Sequence, residues 1–260
     1  MGYLQGYRVH PKLALRAWQR EVTLYKRIWP STILSTLLDP IMYLLALGFG
    51  LGAYVGSIQG RPYLEFIAPG LVASSVMYAS IFEAAWNSYV RIFVERSYES
   101  MMATPAELED VVAGEALWGA TRATIYSVVM LVVLTGFGLI HSWWALLVPP
   151  VAFLAGLAFF MLGISYTVTC RHMDQLTFLF TLGVTPMFLF SGIFFPLEGL
   201  PQAVQAVAWL SPLYHLVAAV RALAFGAVGL GTLGHVAWLL GALTLAWGLP
   251  SAMLRRKLRT

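Results

Sequence analysis

Residues 95–115 read E-R-S-Y-E-S-M-M-A-T-P-A-E-L-E-D-V-V-A-G-E, a polar interval between two long apolar segments. It holds six of the chain's twelve acids, Glu95, Glu99, Glu107, Glu109, Asp110 and Glu115, and a seventh, Glu83, lies just upstream. Thr104 suits an N-cap, Pro105 the first helical position, and Glu107, three residues after Thr104, completes a capping box. The pattern predicts a short helix or turn over 97–102, a break at Ala103, and a new helix from Pro105 whose polar first turns lead into an apolar span.

Outward from this stretch the composition sets the class. Of 260 residues, 59% are hydrophobic and 11% charged, far from the quarter or so of charged residues in an average soluble domain. The reading is an all-α integral membrane protein. At about 20 residues per membrane helix, six spans with their loops use nearly the whole chain and leave no room for a soluble catalytic domain. Cys170 is the single cysteine, so no intrachain disulfide forms. Its neighbours Arg171 and His172 place it on the cytosolic side, where it serves as a small filler. Residues 1–29 lack an apolar core of the kind a cleaved signal peptide needs.

The basic excess is not a nucleic-acid footprint, because ten of the sixteen cations flank the ends: Arg8, Lys12, Arg16, Arg20, Lys26 and Arg27, then Arg255, Arg256, Lys257 and Arg259. Both termini are therefore expected in the cytosol, which requires an even number of spans. Residues 11–29 form a helix with Ala14, Trp18, Val22, Tyr25 and Trp29 on one face and Lys12, Arg16, Arg20 and Arg27 on the other. Such a helix lies in the membrane interface, or packs on a partner, or does both. Spans follow at about 31–55, 66–93, 112–140, 145–169, 175–195 and 233–254. The third begins amphipathic, with Glu115, Trp118 and Arg122, and Arg91 and Arg96 mark the cytosolic exit of the second.

Two acids fall inside spans. Asp39, before Pro40, reads as a cap or snorkelling group, or as a residue facing the bundle interior. Glu83, with Trp86 and Asn87 about a turn away, is either paired within the bundle or set in a water-filled path. Between spans five and six, helices over 202–210 and 213–225 are too short to cross a bilayer. The second has Ser211 as N-cap and Pro212 at its first position. They form an external re-entrant hairpin, about 197–227. No G-x-x-x-x-G-K-[ST] occurs, so ATP has no P-loop on this chain. Nor is there an H-E-x-x-H, a G-x-S-x-G or a Cys/His cluster at metal spacing; no metal is expected.

Several blocks carry a family likeness: D-P-I-M-Y-L-L-A-L-G-F-G-L-G at 39–52, F-I-A-P-G-L-V-A-S-S-V-M at 66–77 followed by Phe82-Glu83, E-D-V-V-A-G-E-A-L-W-G-A-T-R at 109–122, T-P-M-F-L-F-S-G-I-F-F-P-L-E-G-L-P at 185–201, and the basic end L-R-R-K-L-R. In order and spacing the chain resembles the ABC type-2 permease family, the NodJ-like membrane subunits of ABC exporters, nearly end to end. The resemblance implies a subunit without enzymatic activity of its own, in the bacterial inner membrane. Two copies of it would pair with two copies of a P-loop ATPase, which holds ATP and Mg. The cytosolic segment of about 94–111 would be the coupling loop, with Glu95, Arg96, Tyr98, Glu99, Met101, Met102, Thr104 and Pro105 in it. Tyr98, Met101 and Met102 would be its apolar anchors on the ATPase, and Arg96 and Glu99 polar partners. The likeness also implies outward movement of an amphipathic, lipid, glycan or drug-like substrate. Its path would run at the dimer interface past Glu83, Trp86, Phe188, Phe190, Phe194 and Phe195. The reading of different class is a stand-alone proton-coupled carrier or intramembrane enzyme centred on Glu83.

Overall fold

The computed structural model describes residues 9–27 and 29–257, with backbone alone at 31, 33–37, 39, 40 and 256. Expectations attached to Arg8, Arg259 and the side chains of Asp39 and Arg256 lie outside the described residues.

The architecture is all-α. Helix α1 (Pro11–Tyr25) is followed by α2 (Trp29–Leu45), which continues through a wide π-helical stretch (Ala46–Leu51) to Gly52–Val55. A two-residue hairpin, β1 (Ser57–Ile58) antiparallel to β2 (Arg61–Pro62), leads into α3 (Tyr63–Val94). Then come α4 (Ser97–Met102), α5 (Leu108–Gly136), α6 (Trp143–Thr169), α7 (Met173–Leu189), α8 (Gln202–Trp209), α9 (Pro212–Phe225), α10 (Leu230–Ala246) and α11 (Leu249–Lys257).

Among the described residues, four stretches are long and apolar enough to cross a bilayer: α3, α5, α6 and Leu230–Arg255, which α10 and α11 make together. The first expected span is one unbroken helical run from Trp29 to Val55, whose fully described part is the apolar stretch Ile41–Val55; the fifth falls on the shorter stretch Met173–Leu189. The fifth stops early because the chain leaves the helix at Phe190 (φ −105°, ψ 21°) and Gly192 turns at φ +75°. That conformation suits glycine, which has no Cβ to clash. The aromatic run over 188–195 is therefore not a continuous helix face. Helices α8 and α9 meet at 83°, the expected pair of short pieces.

Helix α3 is the centre of the bundle, and α5 and α6 close on it. A Cβ on Gly156 would come within 2.9 Å of Ala120 Cα and Ala123 Cβ and 3.1 Å of Ser80 Oγ, so the bare glycine allows three helices to meet. Of the most apolar 18-residue window of α3, 83% is buried within the chain, against 22% for Leu230–Arg255. The latter is a peripheral helix.

Three local expectations change. Helix α5 starts at Leu108 rather than Pro105, with Glu107 as N-cap; Asp110 Oδ2 accepts the Glu107 backbone N–H at 3.0 Å. Thr104 closes the turn after α4 instead, donating to the Met101 carbonyl at 2.6 Å. The short extended link at 106–107 gives the three-residue spacing to Asp110 the role expected of the one from Thr104. Ser211 occupies the N-cap position of α9 but makes no capping bond, and its hydroxyl is buried without a partner. Finally, the first helix ends at Tyr25 instead of running to 29; α1 packs on α5, with Leu15 and Leu24 exposed on it.

Candidate functional site: a buried charge cluster behind the polar loop

Helix α3 is wound with two π-helical stretches, Glu83–Asn87 and Val90–Val94, at the residues that carry charge. Such widened turns recur at functional sites, since they redirect side chains out of the regular ladder. Here they bring Glu83, Asn87 and Arg91, spaced i, i+4, i+8, to one place. Glu83 is fully buried. Its Oε1 is 2.8 Å from Arg91 Nη2; its Oε2 contacts Arg122 Nη1 and accepts from Asn87 Nδ2 at 2.6 Å. Arg122, from α5, also donates to the Tyr126 hydroxyl at 3.0 Å.

Arg91 is the hub. Beyond Glu83 it reaches Glu21 of α1 at 2.6 Å and Glu115 of α5 at 3.5 Å. Glu21 in turn takes Arg20 at 2.7 Å. The other Glu115 oxygen accepts two hydroxyls, Ser88 at 2.8 Å and Tyr98 at 2.8 Å. Three buried carboxylates thus surround two buried guanidiniums, with Arg20 at the half-exposed edge. Burial pushes the Glu21 carboxyl up to about 7 against the opposing pull of Arg91. A proton on Glu21 brings the inner group of three acids and two arginines to neutrality. Burial also raises the Tyr98 phenol well above its ordinary range, with the Glu115 charge adding to it, so Tyr98 is a proton donor to that carboxylate at neutral pH.

Four elements therefore meet on one network: α1, α3, α4 and α5. A cavity of about 430 Å³ leads to it, lined by Arg20, Glu21, Tyr25, Glu83, Asn87, Arg91 and Arg122 among others. The polar interval divides cleanly. Glu109, Asp110 and Glu115 are buried, while Glu95, Glu99 and Glu107 are exposed. Asp110 accepts the His10 backbone N–H at 2.5 Å, and Glu109 pairs with Arg255 of α11 at 2.5 Å. His10, before α1, and Arg255, in α11, are so tied to the first turn of α5.

Placement of the expected residues is mixed. Tyr98 points inward, 1% exposed, and cannot be an apolar anchor for a docked partner as it stands. Met101 and Met102 are half-buried against the core around Tyr98 and Leu108. The free face of the loop is Glu95, Arg96, Glu99, Thr104 and Pro105. Arg96 sits at φ +50°, an uncommon value for a residue with a Cβ, and this turns the chain from α3 into α4. On α1, Trp18 donates to Thr121 at 3.0 Å, and Arg16, Lys26 and Arg27 are exposed.

Most of the expected path residues sit in two aromatic groups. Trp86 packs with Phe82 and Phe180; Phe188 and Phe194 pack edge-on at 5.0 Å with Tyr43 and Tyr78 around them. Phe190 is exposed and Phe195 half-buried. Glu21 was not singled out by the sequence reading, although it is the one acid among the six cations before the first span. Nor was the pairing of Glu115 with Arg91 and of Arg122 with Glu83, which the two-turn spacing of Glu115 and Arg122 permits.

An all-α multi-pass membrane protein with a buried ionic hub under a polar interhelical loop is the class these observations define. The family model "ABC-2 type transporter" matches residues 13–225. The chain is 35% identical to Nodulation protein J of Rhizobium leguminosarum bv. viciae, covering 94% of each chain, and 36% to that of Neorhizobium galegae, covering 93% of this chain and 92% of the other. It is 24% identical to the inner membrane transport permease YadH of Escherichia coli strain K12 over 78% of this chain and 79% of that one. This chain belongs to the ABC-2 type transporter family and is a transporter's membrane subunit.

Proposed function

We propose that this chain is the permease of an ATP-driven exporter in the bacterial inner membrane. It works as a homodimer with two copies of a separate P-loop ATPase that holds ATP and Mg, and moves an amphipathic lipid-, glycan- or drug-like substrate outward by alternating access. Six spans, cytosolic termini and an interfacial α1 complete the reading, in which Trp29–Val55 and Met173–Leu189 supply the first and fifth spans. The names of the relatives, a nodulation protein and a transport permease, support the transport role without choosing the substrate.

One observation carries the reading: the Tyr98 hydroxyl on Glu115. A loop that merely bridged two spans would need no side chain seated in the bundle's ionic hub. The loop offers Glu95, Arg96 and Glu99 to the cytosol and α4 seats Tyr98 in the interior, so a push on its outer face reaches α3 and α5, and through Arg91 α1, by way of a single hydrogen-bonded carboxylate. ATP binding does work only if it favours one arrangement of the subunits over another, and this network is a place where two arrangements can differ. Both oxygens of Glu83 are engaged by guanidiniums, which favours this reading over a carrier with a free carboxyl at Glu83.

The test is purification of the chain from its native membrane in mild detergent. An ATPase chain at equal stoichiometry, with turnover dependent on this subunit, is the expected result; a chain that transports alone overturns the proposal.

A further inference from the structure

At the other end of α3, roughly 25–38 Å from the hub residues Glu83 and Arg91 by helical rise, lies a second polar cavity that the transport reading does not use. It has a volume of about 370 Å³ and lies between β2, the start of α3, the turn after α7, and α9. That size suits a headgroup-sized ligand. Its floor is Arg221. The guanidinium lies 4.2 Å from the Phe66 ring centre, and Nη2 donates to the carbonyls of Gly192 at 2.8 Å and Phe66 at 3.2 Å. Its Nε is buried with no acceptor. Arg61 faces the same cavity, 3.9 Å over the Phe225 ring.

The charges of these two cations are handled differently. Arg61 has Glu65 at 3.7 Å as a counter-ion. Arg221 makes no ion pair within 4 Å of a described carboxylate: Glu198, exposed on the same cavity, acts on it through space only and does not outweigh its burial. Two backbone carbonyls supply partial charge but no whole anion. A cation largely withdrawn from water without an anion in contact is unfavourable, and a contacting anion relieves it. The cation left without an anion in contact is single, the donors are guanidinium forks, and the walls include Phe66, Phe225 and Leu197.

We propose that this cavity binds the phosphodiester monoanion of a lipid headgroup. Arg221 and Arg61 grip the phosphate oxygens, since guanidiniums match that geometry in a bidentate way. Glu198 and Tyr214 on the rim accept from and donate to headgroup hydroxyls. The aromatic walls take the adjoining glycerol. The ionic hub is not needed for this site, so the two proposals stand or fall separately.

The experiment uses the full chain in detergent, with whatever chains co-purify with it, and native mass spectrometry to read lipid retention. Phosphatidylglycerol is the probe, with inorganic phosphate as competitor. Wild-type protein is expected to retain phosphatidylglycerol at least tenfold better than Arg61→Gln and Arg221→Gln. Arg61 is half exposed, so that variant keeps the fold even if Arg221→Gln does not. Retention that resists millimolar inorganic phosphate assigns the site to the lipid; displacement by it assigns the site to free phosphate and overturns the lipid assignment. Equal retention by wild type and Arg61→Gln overturns the site itself.

Discussion

The Tyr98 hydroxyl donates to Glu115 Oε2 at 2.8 Å, joining the short helix of the polar loop to the interior of the bundle. The same carboxylate is shared with Ser88 and lies against Arg91, so a single side chain connects the loop with two spans and, through Arg91, with Glu21 of α1. Tyr98→Phe deletes the bond while keeping the ring's packing. A hydrogen bond to a charged group contributes about 1.5–3 kcal/mol, so a modest fall in melting temperature is expected. ATP turnover by the reconstituted complex should become less dependent on transported substrate. Unchanged coupling in a correctly folded Tyr98→Phe protein would remove the mechanical role assigned to this bond.

Glu83 and Arg122 form the least exposed ion pair among the described residues. Removing one partner of a buried pair typically destabilises by about 3–5 kcal/mol, because the other charge is left unpaired. Glu83→Ala and Arg122→Ala should each lower thermal stability in detergent strongly, and the double variant should lose less than the sum. A double-mutant cycle followed by fluorescence-detected size-exclusion after heating reads the coupling. Additive losses would show that the two side chains act independently.

Glu21 makes α1 sensitive to pH. Its carboxyl is raised from an ordinary value near 4.5 to about 7 in the fold. The folded state therefore holds a proton that the unfolded chain releases sooner. The corresponding stability is fully present below about pH 4.5 and is lost as pH rises through about 7. Hydrogen exchange of the α1 amides, corrected for intrinsic rates, should show looser docking at pH 8 than at pH 5.5. In Glu21→Gln that difference should vanish. A variant that keeps the full pH dependence would place the responsible group elsewhere.

Gly114 allows α1 to lie on α5. A Cβ there would sit 2.5 Å from Ala17 Cβ and 2.6 Å from the Ala14 carbonyl oxygen, and backbone cannot yield as a flexible side chain does. Gly114→Val should lift α1 and lose about 1–3 kcal/mol of packing, as overfilled contacts do. Protease cleavage within residues 11–25 of membrane vesicles should then speed up. Cleavage at the wild-type rate would mean that the crossing is looser than the glycine implies.

How far these features were legible differs from residue to residue. The helix over 97–102 was readable because a polar segment flanked by apolar runs has few other options, and Pro212 marked the start of α9 by its fixed φ. The start of α5 was misplaced by three residues, since Thr104-Pro105 and Glu107 both offer caps and local chemistry cannot choose between them. Tyr98 looked like a surface anchor because an aromatic in a polar loop has no partner within the same stretch; its partner is 17 residues away on another helix.

By itself the sequence determined the class: apolar segments of bilayer length must become helices, because lipid offers their backbone no other hydrogen-bond partner. It also determined which residues could carry charge in the membrane, since Glu83, Arg91, Glu115 and Arg122 are too few and too costly there to be incidental. Only the tertiary structure decided that they share one hub with Glu21 and Tyr98. Ion pairing depends on distances of a few ångströms between helices, and those are set by where glycines such as Gly114 and Gly156 let backbones approach, which no periodicity within a single helix encodes.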